Sequence, residues 1–294
     1  MPTTHQLADC FSVPGLTFEE GAGGLTKAVI RAPAASGELY LHGAHVTAWQ
    51  PAGHDPVLWM SRSSNFATDK PIRGGVPICF PWFGAYASDP SRPAHGYARI
   101  QDWALTAAGV SDDGGISLTL DARIEPFVVR YRVQFGTSLA MTLTTHLPTA
   151  AVAAHSFEDA LHTYLAISDI RQISIAGLQK CRFIDKLDQA QEKAAIGIPI
   201  EFTGETDRVY HQTDAACHLV DRLKSRQVTV SKSGSQSTVV WNPWIDKSLR
   251  MPDFGDHEWP EMVCIETANV GSAAILLQPG ETHTTNAKLE VAFL

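Results

Sequence analysis

The sequence predicts an all-β fold, a large sandwich or barrel, and three observations carry that expectation. In 127–135 (FVVRYRVQF), Phe127, Val129, Tyr131, Val133 and Phe135 are apolar, with Arg130, Arg132 and Gln134 set between them. That period of two marks a strand buried on one face. Residues 139–147 repeat the alternation through Leu139, Met141, Leu143, Thr145 and Leu147. Along the rest of the chain short apolar runs are separated by turn signals, and only 185–195 has a helix-like composition.

In chain order the further strands are expected at 38–49, 116–122, 160–167, 172–176, 228–231, 238–241, 262–266, 273–277 and 288–293. Each is a short run rich in apolar or β-branched residues, bounded by turn formers. In 160–167, Ala160, His162, Tyr164 and Ala166 share one face, and Leu161, Thr163, Leu165 and Ile167 the other. In 262–266, Glu266 shares a face with Met262 and Cys264. There is no internal repeat, low-complexity tract or linker, so residues 1–294 read as a single domain.

Composition narrows the functional classes. With 44% hydrophobic and 18% charged residues the chain can bury a sizeable core and is not disordered. A formal net charge of −8, without a basic stripe, excludes broad binding to a phosphate backbone, and hence a nucleic-acid partner. An anionic small molecule is compatible with that charge only where a few arginines are concentrated locally. The five cysteines (Cys10, Cys79, Cys181, Cys217, Cys264) are odd in number, widely spaced and lack a CxxC pair. That pattern fits reduced thiols in a cytoplasm and argues against a zinc site. The N-terminus lacks a signal-peptide pattern and no segment is long enough to span a bilayer, so a soluble, cytoplasmic protein is expected.

The unusual residues are concentrated in 70–103, KPIRGGVPICFPWFGAYASDPSRPAHGYARIQDW. Arg73 stands before Gly74 and Gly75, an apolar run is cut by Pro77 and Pro81, and His95, Arg99 and Trp103 follow a polar loop. Prolines remove backbone donors and glycines permit positive φ, which suits a fixed irregular rim better than a paired strand. Two arginines, a histidine and several aromatics on such a rim suit a polar ring-shaped ligand bearing an anionic group. The same residues also describe a proline-rich surface connection.

Elsewhere the candidates each have two readings. His162, in mid-strand, is a satisfied core or surface histidine or else an acid–base group. Glu266, at the end of an apolar strand, faces solvent or sits in a cleft where desolvation would raise its pKa. Asp207 follows a polar turn, the usual place of a cap or turn acid. Asp246 and Lys247 pair with one another or line the same cleft.

The ordered set PIRGGVPICFPWFG, HGYAR, ALHTYLAISDI, ETDRVY, VVWNPW and MVCIE resembles the D-hexose-6-phosphate mutarotases, the glucose-6-phosphate 1-epimerase branch of the aldose 1-epimerase superfamily. The resemblance runs from about Leu39 to the C-terminus. It implies a large antiparallel β-sandwich of galactose-mutarotase type. It also implies that His162 and Glu266 are catalytic and that Asp207, Arg73, Arg99 and His95 bind substrate. Two positions depart from the family pattern. Ala94 stands where some relatives carry a substrate-contacting glutamine, and Thr267 where a proline often follows the glutamate.

From that resemblance follows a mechanism without metal or organic cofactor. Glu266 removes the C1 hydroxyl proton and His162 protonates the ring oxygen; the roles exchange on closure. Arg73 and Arg99 hold the phosphate, Asp207 the hydroxyls, and Trp82 or Trp244 offers an apolar face. The expected gap between His162 and Glu266 is that of a sugar ring, roughly 5–7 Å. The expected partner is a small sugar phosphate, with no nucleic acid or membrane, and the expected state a monomer. Alternatives are an epimerase of free hexose and a non-catalytic carbohydrate-binding protein. A glycoside hydrolase fits least, because it normally needs two carboxylates.

Overall fold

The computed structural model describes residues 2–294 and consists mainly of antiparallel sheets. One eight-stranded sheet runs in the order Ile173–Ala176, Cys217–Asp221, Arg226–Ser233, Thr282–Phe293, Ser138–His146, Phe127–Phe135, Ile116–Ile124, Ala104–Val110. Phe127–Phe135 alternates as its sequence predicts: Val129, Tyr131, Val133 and Phe135 are fully buried, whereas Val128, Arg130 and Arg132 are exposed.

The second eight-stranded sheet contains Gln191–Lys193, Phe183–Asp185, Thr206–His211, Ser237–Asn242, Met262–Asn269, Asp159–Leu161 and Ile78–Cys79 in that order. Tyr164–Ala166 also pairs with Met262–Asn269. The two sheets form a β-sandwich around one apolar core. Leu118, Val129, Tyr131 and Met141 from the first meet Leu161, Val240, Val263 and Ile265 from the second in a single buried cluster. Each fully buried aliphatic side chain among them contributes about 1.5–3 kcal/mol. All eight residues of Met262–Asn269 are buried, because this strand is covered on both faces. Away from the main core, Ala268 joins Cys79, Ala160, Val209 and Val239 in a smaller apolar cluster.

A four-stranded meander (Leu16–Glu20, Thr26–Arg31, Ala35–Tyr40, His45–Pro51) precedes these sheets, and His155–Phe157 pairs with Ile275–Leu277. Among the described residues no helix is long and apolar enough to cross a membrane.

Three expectations about elements are corrected. The 38–49 strand is a hairpin, turned at 41–44 where Gly43 (φ 71°) and Ala44 (φ 46°) take left-handed backbone. The 160–167 strand breaks at His162 and Thr163. The 185–195 segment is no helix: Phe183–Asp185 and Gln191–Lys193 pair as a hairpin. Its charged residues link across that hairpin, with Lys193 Nζ 2.8 Å from Asp185 and 3.0 Å from Asp188. Helix-favouring composition without an apolar stripe gives a helix nothing to pack. Thr4–Cys10, closed by a Thr3/Gln6 capping box, is a helix the pattern did not mark.

Candidate active site

Two straps place the rim arginines. Gly75 (φ 59°) lets the chain pass beside the His45–Pro51 strand, since a Cβ there would lie 2.1 Å from the Val46 carbonyl oxygen. Its amide donates to the Trp59 carbonyl at 2.7 Å and that of Val76 to Val46 at 2.9 Å. Beneath them His45 Nε2 donates to the Gly74 carbonyl at 2.8 Å, and burial pushes this imidazole down to about 3, so it is neutral. The second strap crosses at Gly96 (φ 76°), where a Cβ would lie 2.0 Å from the Phe80 carbonyl oxygen. Tyr97 and Ala98 both donate to that carbonyl, which seats Arg99 in a buried 3-10 turn, Ala98–Ile100.

Strand register builds the floor. Asp207 lies opposite Trp241, Trp241 opposite Cys264, and Cys264 opposite Tyr164. In the next row on this face Val209 lies opposite Val239 and Val239 opposite Glu266. Leu161 pairs with Thr267 and Tyr164 with Cys264, so His162 falls in the break directly beside Glu266. There the Thr163 amide turns back to the Leu161 carbonyl (2.9 Å), and that of His162 bonds Pro77 (3.0 Å). His162 Nε2 and Glu266 Oε1 are consequently 3.3 Å apart, both buried. The expected ring-sized gap is thus absent. The two groups come from neighbouring strands of one sheet, about 4.8 Å apart, rather than from opposite walls.

A cavity of about 340 Å³ opens above this floor, and it is lined by all six expected residues: Arg73, His95, Arg99, His162, Asp207 and Glu266. Arg73 is held by Asp253, through Nε (3.1 Å) and Nη2 (3.0 Å), and its Nη1 donates to the Tyr164 hydroxyl at 3.0 Å. Arg99 donates from Nη2 to the Ala94 carbonyl at 2.7 Å, while its buried Nε makes no hydrogen bond among the described residues. His95 Nδ1 accepts from the Gly84 amide at 3.3 Å, which leaves the ring proton on Nε2.

The electrostatics push the floor pair toward neutrality. Burial, reinforced by Asp207, raises the Glu266 carboxyl well above the ordinary range. Burial, with His95, Arg73 and Arg99 adding to it, holds His162 well below the usual imidazole value. Asp207 is also raised by burial, against the pull of Lys247 and Lys186. His162 Nδ1 and Glu266 Oε2 are buried without a partner among the described residues.

Two aromatic expectations are corrected. Trp82 bonds the Pro93 carbonyl and packs on Tyr86 and Tyr97, and Trp244 packs on Trp259; neither lines the cavity. Trp241 does. Asp246 is exposed, whereas Lys247 lines the cavity and pairs with Glu205 at 3.4 Å. Sequence reasoning missed Lys186, which also lines it, and the Asp253–Arg73–Tyr164 contacts. The VVWNPW motif contains Trp241 and was the available signal for it; for Lys186 and Asp253 none existed.

The family model described as aldose 1-epimerase matches residues 27–290. The chain is 34% identical over 274 residues to the "Putative glucose-6-phosphate 1-epimerase" of Cenchrus ciliaris, covering 88% of this chain and 82% of that protein. It is also 34% identical over 243 residues to the Escherichia coli K12 protein of the same name, covering 82% of each. Among solved structures, the "putative mutarotase" YeaD of Salmonella typhimurium matches with a TM-score of 0.88 at 30% identity, over 96% of this chain and 95% of that one. Galactose 1-epimerase from Lactobacillus acidophilus NCFM matches with a TM-score of 0.70 at 12% identity, over 95% and 98%, a likeness of fold alone.

Proposed function

The chain belongs to the aldose 1-epimerase family, and we propose that it interconverts the α and β anomers of a hexose 6-phosphate, with glucose 6-phosphate as preferred substrate. The observation that carries this reading is the His162–Glu266 pair, 3.3 Å apart on the floor of a cavity that Arg73 and Arg99 also line.

Anomer exchange opens the pyranose at C1–O5, turns the C1–C2 bond and closes the ring on the other face. Opening takes the proton from O1 and gives one to O5. Both oxygens are bonded to C1, so two adjacent groups on one floor reach both. One proton shared by the pair is sufficient. With it on His162, Glu266 takes the O1 proton as His162 supplies O5. With it on Glu266, the form burial favours, the roles begin exchanged. Closure reverses the transfers, so each group serves as acid and as base. Each such group typically contributes about 10²–10⁴ in rate.

Arg99 has guanidinium donors to spare and Arg73 retains part of its own, and together they hold the phosphate by charge-assisted bonds. Asp207 takes sugar hydroxyls, and Trp241 offers the apolar ring face. This reading takes residues 1–294 as one cytoplasmic, monomeric catalytic domain. The preference for free hexose draws support from Arg73 alone, whose Nε and Nη2 already serve Asp253.

A coupled assay of α-to-β conversion decides between them, with spontaneous exchange subtracted. The expected result is faster catalysed exchange of glucose 6-phosphate than of glucose. Binding of the sugar phosphate without acceleration would leave a carbohydrate-binding protein.

A further inference from the structure

His162, Cys264 and Glu266 form the one group of three metal-capable side chains found among the described residues, each offering a donor atom within 4.8 Å of the other two. All three are buried. We propose that this triad is an inhibitory site for a thiophilic divalent cation of the zinc type, and that the ion binds by taking over the floor pair.

The geometry comes from the sheet. Cys264 and Glu266 are alternate residues of Met262–Asn269 and so project from the same face, while the break after Asp159–Leu161 delivers His162 beside them. Zinc bonds of about 2.0–2.3 Å in a tetrahedral arrangement set donors roughly 3.3–3.8 Å apart. His162 Nε2 and Glu266 Oε1, at 3.3 Å, already have that spacing. The sulfur needs to close by up to about 1.3 Å. One imidazole nitrogen, one thiolate and one carboxylate leave a fourth position to water from the cavity, which His162 and Glu266 line.

Hard cations such as magnesium fit this donor set poorly, since they take oxygen ligands and avoid thiolate.

The consequence is loss of both proton-transfer groups at once. The inhibition rests on the anomer-exchange reading; the binding does not. The test therefore has two arms, run in a Cys10→Ser background so that the exposed thiol stays silent. In the first, cobalt(II) is titrated into the full chain. The expected result is a thiolate-to-cobalt charge-transfer band saturating at one equivalent, abolished in Cys264→Ser and in Cys264→Ala and reversed by a chelator. In the second, zinc(II) inhibits anomer exchange, and Cys264→Ser, which keeps basal turnover, is about tenfold or more less sensitive. Magnesium at the same concentration leaves the rate unchanged. A band that persists in both Cys264 variants, the absence of any band, or equal zinc sensitivity would overturn the proposal. A Cys264-dependent band in a protein without anomer-exchange activity would keep the site and remove the functional reading instead.

Discussion

The Tyr164 ring lies flat on the His162 imidazole, with centroids 4.7 Å apart and planes 8° from parallel, while its hydroxyl accepts from Arg73 Nη1 at 3.0 Å. One side chain thus braces the floor imidazole and a rim guanidinium together. Tyr164→Phe keeps the stack and removes the hydroxyl. We expect KM for glucose 6-phosphate to rise by up to about tenfold, the cost of one hydrogen bond to a charged group that Asp253 still holds, with kcat within about twofold. A fall in kcat at unchanged KM would place the effect in His162 instead.

Asp253 gives the complementary test. Its carboxylate grips Arg73 through Nε and Nη2, both partners being largely buried. Asp253→Asn leaves shape and some hydrogen bonding but frees the guanidinium charge. The expected outcome is a lower melting temperature, because breaking a buried pair strands a charge, together with a changed KM for the phosphosugar. Unchanged affinity for glucose 6-phosphate would mean that Arg73 serves structure alone.

How much of this was legible depends on the range of the interaction. The 127–135 alternation is a local signal, and the strand follows it residue by residue. The Gly74–Gly75 pair is equally local, since both residues take positive φ (110° and 59°), which glycine permits. The Arg73–Asp253 pair spans 180 positions, so no window of sequence contains it. The His162–Glu266 spacing depends on register across a strand break, and the expected ring-sized gap was drawn from the mechanism, which carries no information on that register. The 185–195 segment misled because composition was read without periodicity.

Removing the floor groups separately tests their part in the chemistry. Glu266→Gln keeps size and hydrogen bonding but cannot carry a proton between oxygens, and His162→Asn loses the titratable ring. Each is expected to lower kcat by about 10² or more with the fold intact by circular dichroism. Turnover close to that of the parent in either variant would remove that residue from the mechanism.

Glu266 should also cost stability. Burial raises its pKa well above the ordinary value of 4.5, so above that pH the folded chain holds a proton that the unfolded chain has released. Stability must then fall as pH rises from about 4.5 through the folded pKa. Glu266→Gln does not titrate. Its melting temperature should match the parent's near pH 4.5 and exceed it near neutrality. A variant less stable than the parent at neutral pH would show that the carboxylate is satisfied by contacts outweighing its desolvation.

Arg99 separates the phosphosugar from the free sugar. The chain carries a formal net charge of −8, so an anionic substrate is repelled unless a local positive site outweighs the overall field. Arg99 is buried on the cavity wall, with one hydrogen bond to the Ala94 carbonyl and Nε unpartnered among the described residues. Ala94, beside it, adds no side-chain donor of its own. Arg99→Ala is therefore expected to raise KM for glucose 6-phosphate roughly ten- to a hundredfold, the equivalent of about 1.5–3 kcal/mol for a charge-assisted bond. KM for glucose should change far less, and inorganic phosphate should compete with the sugar phosphate in the parent but only weakly in the variant. Equal losses for both sugars would make Arg99 a support for the cavity wall, and the preference for a phosphorylated substrate would fall with it.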